Sequence, residues 1–172
     1  LRTFVSLNVL AGECLDTHYF AVLIGVGATT VNAYLAQESI AERHRRGLFG
    51  DRSLEDCMQA YIKAIDDGLL KIMSKMGIAV ISSYRGGCNF EAVGLSRTLV
   101  DEFCMPMPSR LSGIGLMGIQ EKVLALHDRS WNEDFVALPV GGFYRYRRGG
   151  ESHAWEAGLI HTRQHAVAKD SY

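Results

Sequence analysis

Arg85 stands in a polar glycine loop, Tyr84-Arg85-Gly86-Gly87, directly behind a short apolar run, IAVIS at residues 78–82. A guanidinium presented there can fork onto a carboxylate or a phosphate, or it can pin its own loop by donating to carbonyls. A second group of charges lies toward the C-terminal end, where Arg145, Arg147 and Arg148 are close to Glu151 and His153. These side chains either neutralise one another as exposed ion pairs or meet an anionic substrate. His161 and His165 share a helix face at i, i+4. A metal would need further converging ligands, and the glutamate of an HExxH motif is absent, so a solvated or packed face is expected and no metal site. His18 falls in the first turn of a helix and suits a packed or hydrogen-bonded ring better than a catalytic one. Gly25-Val26-Gly27 does not continue as GxGxxG. With no nucleophile elbow and no P-loop, spacing alone names no reaction.

The elements that carry these residues follow from periodicity. Residues 3–9 (TFVSLNV) alternate and are rich in β-formers, which predicts a strand. Asp16 can cap a helix over residues 17–24, apolar on nearly every side and therefore expected to be buried. Thr29 or Thr30 is expected to cap another helix, which ends in the basic cluster of residues 42–46 before Gly47. Ser53 opens a long helix with Leu54, Met58, Tyr61, Ile65, Leu69, Ile72 and Met76 at steps of three and four. Inside it Gly68 marks a kink or a close helix contact, and Gly77 stops it. Residues 78–82 have the profile of a buried parallel strand, and Asn89 caps a helix over residues 90–103. Arg85 would then sit at a strand end, where open α/β sheets place ligand chemistry. Beyond Pro106 and Pro108, residues 111–118 carry three glycines. A helix over residues 119–127, a loop over 131–137, a hairpin over 141–155 turning at Gly149-Gly150, and a helix over 159–168 complete the chain. The fold class is α/β, in partial helix–strand layers. Residues 47–52 (GLFGDR) are the clearest linker and divide the chain into residues 1–49 and 50–172.

Composition sets bounds on partners. The chain has 172 residues, 48% hydrophobic and 22% charged, with net charge −1. That balance is ordinary for a globular protein and gives no case for nucleic acid or an anionic membrane. No apolar run approaches the roughly 20 residues a membrane span needs. Cys14, Cys57, Cys88 and Cys104 are scattered with no CxxC, which suits buried free thiols in a reducing compartment, the cytoplasm. The start at Leu1 without Met, and the stop just past a helical pattern, suggest a piece of a longer protein.

Five stretches together resemble the large subunit of glutamate synthase. They are HYFAVLIGVGATTVNAYLAQESI (18–40), YIKAIDDGLLKIMSKMGI (61–78), SYRGGCNFEAVGL (83–95), SRLSGIG (109–115) and LPVGGFYRYRRGGESHAW (138–155). The resemblance implies that residues 1–49 close the central α/β domain and that residues 50–172 open the synthase domain, ahead of a TIM-type barrel that binds FMN. It also implies the family reaction. Ammonia released from glutamine adds to 2-oxoglutarate, and the imine is reduced to L-glutamate through FMN and a 3Fe-4S cluster. Electrons come from a small NADPH-oxidising subunit or from ferredoxin. The family's catalytic N-terminal cysteine, its compact cluster cysteines and its flavin phosphate loops have no counterpart in these residues, so no catalytic residue is carried over. Cys88 departs from the tyrosine or glutamine usual in the family. Glu151, then Arg85 and His153, are the expected pocket or cofactor-binding residues, because 2-oxoglutarate is a dianion and its imine needs a proton. Two other readings stand beside this one: an interdomain scaffold whose charges pair internally, and a small α/β binding module. A chain cut within a domain exposes sheet edges, so the isolated piece is expected to be marginally stable.

Overall fold

The structure is a computed structural model describing residues 4–87, 89–104, 107–132, 134, 140–142 and 145–169. Cys88, Pro106, Tyr144 and most of the loop expected at 131–137 lie outside the described residues. The chain is mixed α/β and divides into two compact units, Leu1–Ile119 and Gln120–Tyr172.

The first unit opens on a βαβ turn of chain. β1 (Asn8–Leu10) and β2 (Thr30–Asn32) run parallel in the register Asn8 to Thr30, Val9 to Val31 and Leu10 to Asn32. Helix α1 (Thr17–Gly25) makes the crossover a parallel pair requires. Asp16 caps α1 as expected, its carboxylate accepting from the Tyr19 N–H at 3.3 Å. The expectation that α1 is buried holds only in part: Ala21 and Gly25 are buried, while Tyr19 is 40% exposed. Thr29 and Thr30 do not cap a helix. Thr29 Oγ1 accepts from the Leu7 N–H at 3.2 Å and the Thr30 hydroxyl donates to Asn8, so the β-branched Thr-Thr-Val run pairs with β1 instead. Helix α2 (Tyr34–Arg45) starts behind Ala33 with no side-chain cap and ends in the expected basic turn.

Helix α3 (Leu54–Met76) follows the sequence closely. Ser53 Oγ accepts from the Asp56 N–H at 3.0 Å. At the other end Gly77 takes φ 70°, with the Ile78 N–H donating to Met73 O and the Gly77 N–H to Ser74 O. That is a Schellman cap, which needs a left-handed residue at this position. Gly68 is the close-contact glycine: a Cβ there would lie 2.6 Å from Thr17 Cγ2, so its absence lets α3 cross α1 at the first turn of α1. The core is two small clusters. Cys14, Ala33 and Ala36 form one, with Phe20, Leu23 and Tyr61 against it; Ala21, Met73 and Tyr84 form the other, with Ile24, Leu69 and Phe90.

Past α3 the structure departs from the sequence expectations. Residues 78–82 are not a buried strand. The Schellman cap takes Ile78 into its hydrophobic contact, Val80 is 54% exposed, and Ile81 opens a single turn, α4 (Ile81–Tyr84). The helix expected over residues 90–103 is split. β3 (Val93–Leu95) comes first, with Gly94 at φ 80°, outside helical space, and only then α5 (Arg97–Phe103). β3 pairs in parallel with β4 (Leu111–Ile114), Val93 opposite Leu111 and Leu95 opposite Ile114 with an irregularity between. Helix α6 (Leu116–Ser130) follows β4.

The second unit holds α6 from Gln120 onward, α7 (Ala157–Lys169) and the loop before α7. The hairpin expected over residues 141–155 is not formed as strands among the described residues. Its turn is present: the Gly150 N–H donates to Arg147 O at 2.9 Å and Gly149 takes φ 77°. The flanking chain is closed by a histidine and one backbone bond rather than by a ladder.

Candidate functional site

Two glycine loops carry the nominated residues. In the first unit, the loop at residues 83–87 is anchored to the end of α1. The buried Tyr84 donates its hydroxyl to Ala21 O at 2.9 Å, and the Gly86 N–H donates to Gly25 O at 2.9 Å. Asn89 does not cap a helix; its Nδ2 donates to Tyr84 O at 3.0 Å and closes the loop from behind. Phe90 completes the anchor, since a Cβ on Gly25 would lie 2.1 Å from its ring. Burial pushes the Tyr84 phenol above its ordinary range, so the ring stays a neutral donor at physiological pH.

Arg85 is the one exposed member of that loop's Tyr-Arg-Gly core with a long charged side chain, and no carboxylate or carbonyl takes its guanidinium among the described residues. The pinning is done by Tyr84, Gly86 and Asn89 instead. Arg85 borders a cleft of about 670 Å³ with Phe4, Ser6, Thr29 and Ser82. Phe4 and Ser6 lead into β1 and Thr29 leads into β2. The cleft is therefore on the amino edge of the parallel pair, opposite to the carboxyl edge where α/β sheets usually hold ligands. A second hollow of about 320 Å³, between α1, α2 and α3, is lined by apolar Phe20, Ile24, Val31 and Ile65 with Gln37 and Asp66.

In the second unit, Glu151 and His153 come together on one loop. The Glu151 N–H donates to Gly141 O at 2.8 Å. The His153 ring places Nε2 2.5 Å from Gly142 O, so that nitrogen carries a proton and donates. Glu156 accepts from Ser152 Oγ at 2.8 Å and from the His153 N–H at 2.9 Å. The Ser152 hydroxyl first, then the His153 amide, hold its carboxyl below the usual range. The Glu151 carboxylate is exposed and none of Arg145, Arg147 and Arg148 pairs with it; the expected internal ion pairing is absent among the described residues. Arg85 belongs to the other unit.

Several residues with structural weight were not singled out from the sequence: Tyr84 as an anchor, Gly142, and Glu156. The signal for Glu156 was available, as a serine and a glutamate flanking the start of a helix. So was a glycine pattern, Gly113-Ile114-Gly115-Leu116-Met117-Gly118, a GxGxxG that follows β4 and opens α6. Its first and third glycines are accounted for by packing. A Cβ on Gly113 would lie 2.1 Å from Gly94 O, and one on Gly118 would lie 2.8 Å from Ile114 Cβ. His161 and His165 have ring centroids 6.3 Å apart, and no three candidate metal ligands converge among the described residues. Cys14 and Cys57 are buried, and burial followed by the Asp16 charge pushes the Cys14 thiol up, away from the thiolate a metal binds. No described helix is long and apolar enough to cross a membrane.

This combination defines a mixed α/β segment of parallel βαβ pieces with two glycine–arginine loops. Residues 1–96 match the family model of the glutamate synthase central domain, and the chain belongs to the glutamate synthase family. Over its whole length it is 73% identical to the large chain of NADPH glutamate synthase from Azospirillum brasilense and 40% identical to that of Bacillus subtilis. Ferredoxin-dependent glutamate synthase 2 of Synechocystis is 34% identical over 98% of the chain. The chain spans about 11% of the length of each of these relatives. The linker expected at residues 47–52 falls inside the residues matched by the family model.

Proposed function

We propose that this chain serves, as one segment, an enzyme that makes L-glutamate from 2-oxoglutarate and glutamine-derived ammonia, joining the central domain to the opening of the FMN-binding synthase domain. The observation that carries this is the 73% identity to a glutamate synthase large chain across every residue. Electrons would come from a small NADPH-oxidising subunit, as the name of that relative suggests, or from ferredoxin, as in the Synechocystis protein. The enzyme would work in the cytoplasm, where scattered free thiols persist.

FMN and a 3Fe-4S cluster belong to the family reaction, and the described residues do not fit either. Cluster ligands must be converging thiolates, whereas Cys14 and Cys57 are buried away from any group of three ligands. The first and third glycines of the GxGxxG stretch, Gly113 and Gly118, are taken up by packing. No step is therefore routed through a cofactor here.

What these residues can supply is charge and position. Arg85 offers a guanidinium with no partner among the described residues for a carboxylate, and Glu151 an exposed carboxylate able to hold or pass a proton. His153 is committed through Nε2 to Gly142 O and acts by holding Glu151's loop. In the intact enzyme, Arg85→Ala and Glu151→Gln should each lower glutamate formation about tenfold or more, the scale of a lost charged contact, with glutaminase activity retained. Glutamate formation unchanged in both variants overturns the assignments.

A scaffold role for the first loop has its own support in the buried Tyr84 anchor. On that reading Arg85→Ala leaves turnover unchanged, while Tyr84→Ala lowers thermal stability.

A further inference from the structure

We infer that the loop bearing Arg145, Arg147 and Arg148 is a capture surface for a small polycarboxylate anion. Two independent observations carry this. First, no acid among the described residues neutralises the charge. All three arginines are exposed, and none forms an ion pair among the described residues. The two acids that follow the arginines in the chain are not used for that purpose among the described residues: Glu151 forms no ion pair there, and the Glu156 carboxylate is taken by Ser152 and the His153 amide. Three like charges within four residues repel one another, so an uncompensated cluster destabilises the empty loop and is relieved by an anion.

Second, the backbone beneath the charges is braced at several points. The Gly150 N–H reaches Arg147 O, the Glu151 N–H reaches Gly141 O, and His153 Nε2 reaches Gly142 O. Two glycines make this closure possible. A Cβ on Gly150 would lie 2.3 Å from Gly141 O, and a Cβ on Gly142 would lie 3.2 Å from Arg147 Cβ, so the Arg147 stem rests on the Gly142 backbone. Arginines that served solubility alone would need no such bracing. Holding the Arg147 stem and the backbone of the turn in advance lowers the ordering cost of binding, and the planar fork matches carboxylate geometry.

Size selects the ligand class. A stable protein interface covers about 800 Å² on each side, more than a turn of a few residues presents. On the function proposed above, the anion is 2-oxoglutarate, gathered at the surface rather than bound at the reacting centre.

The test uses the intact enzyme. The variant R145Q/R147Q/R148Q should lower kcat/KM for 2-oxoglutarate roughly three- to tenfold at low salt, as expected for loss of exposed charge attraction. Its kcat and glutaminase rate should match wild type, and the two proteins should converge at high salt. Because the Arg147 stem packs on Gly142, R145Q/R148Q serves as the variant that spares the brace and should show a smaller loss of the same kind. Calorimetric titration with 2-oxoglutarate and with citrate should give weaker binding to both variants. Equal kcat/KM, equal salt dependence and equal citrate binding overturn the proposal, as does a loss of oligonucleotide binding alone. If wild type forms no glutamate, the function proposed above fails by itself, and the citrate titration still decides the loop.

Discussion

The chain writes nearly the same words twice, Tyr-Arg-Gly-Gly at residues 84–87 and Tyr-Arg-Arg-Gly-Gly at residues 146–150. The first tyrosine is 1% exposed and bonded to α1; Tyr146 is 47% exposed. In the first loop the aromatic ring is the anchor and the arginine is left over. In the second the anchor is a histidine on a carbonyl, and the tyrosine and arginines are all outside. The lesson is that glycine pairs and arginines specify a turn, while the surface behind the turn decides which side chain holds it. Tyr84 had α1 and a Phe90 ring to sink against; Tyr146 has no buried cluster beside it among the described residues.

If that contrast is right, Tyr84→Ala has the largest effect. Removing a buried aromatic ring costs about 3–5 kcal/mol, and amide exchange across residues 81–92 should accelerate sharply in the intact protein. Tyr84→Phe keeps the ring and loses one hydrogen bond, about 1 kcal/mol. Tyr146→Ala should leave exchange in its own loop close to wild type. Equal sensitivity at the two tyrosines breaks the comparison.

Next in size is His153→Ala. It removes the bond to Gly142 O and should cost about 1 kcal/mol of loop closure, seen as faster exchange over residues 145–153 with the first loop unaffected. An unchanged loop would mean that the two backbone bonds suffice.

The smallest effect is a pH dependence. The Glu156 carboxyl is lower in the folded chain than unfolded, so the unfolded state binds the proton more readily. The help it gives to the start of α7 is present above the ordinary carboxylate range and lost as pH falls through the depressed folded value. Amide protection factors at the first turn of α7, corrected for the intrinsic pH dependence of exchange, should fall as pH is taken from 7 to below the ordinary carboxylate range, and Glu156→Gln should abolish that dependence.

The same contrast explains what could be read in advance. Caps and stops at Asp16, Ser53 and Gly77, and the close contact at Gly68, were legible because each is decided within a few residues or by the absence of one side chain. Of the four described strands only the first was foreseen, and it begins later than expected, at Asn8–Leu10 against residues 3–9; all four are only three or four residues long. So short a strand is defined by its partner, and the run at residues 78–82 has the composition of a strand but pairs with none among the described residues. The arginine loop misled differently. Alternating Tyr and Arg imitates a hairpin, but pairing needs a face to bury, and residues 145–149 are all exposed. The candidate residues were legible as types; which of them is held and which is left unpaired was not, because that depends on chain brought from far away.

Distance along the chain also sets an order of events. Thr30 and Asn8 are 22 positions apart with α1 between them, so the first parallel pair closes around a helix that forms locally. The Tyr84 hydroxyl reaches back 63 positions to Ala21. Closing the longer loop costs more entropy and must wait for more chain. During synthesis α1 would be in place, with its last turn uncovered, well before the tyrosine that seals it has left the ribosome.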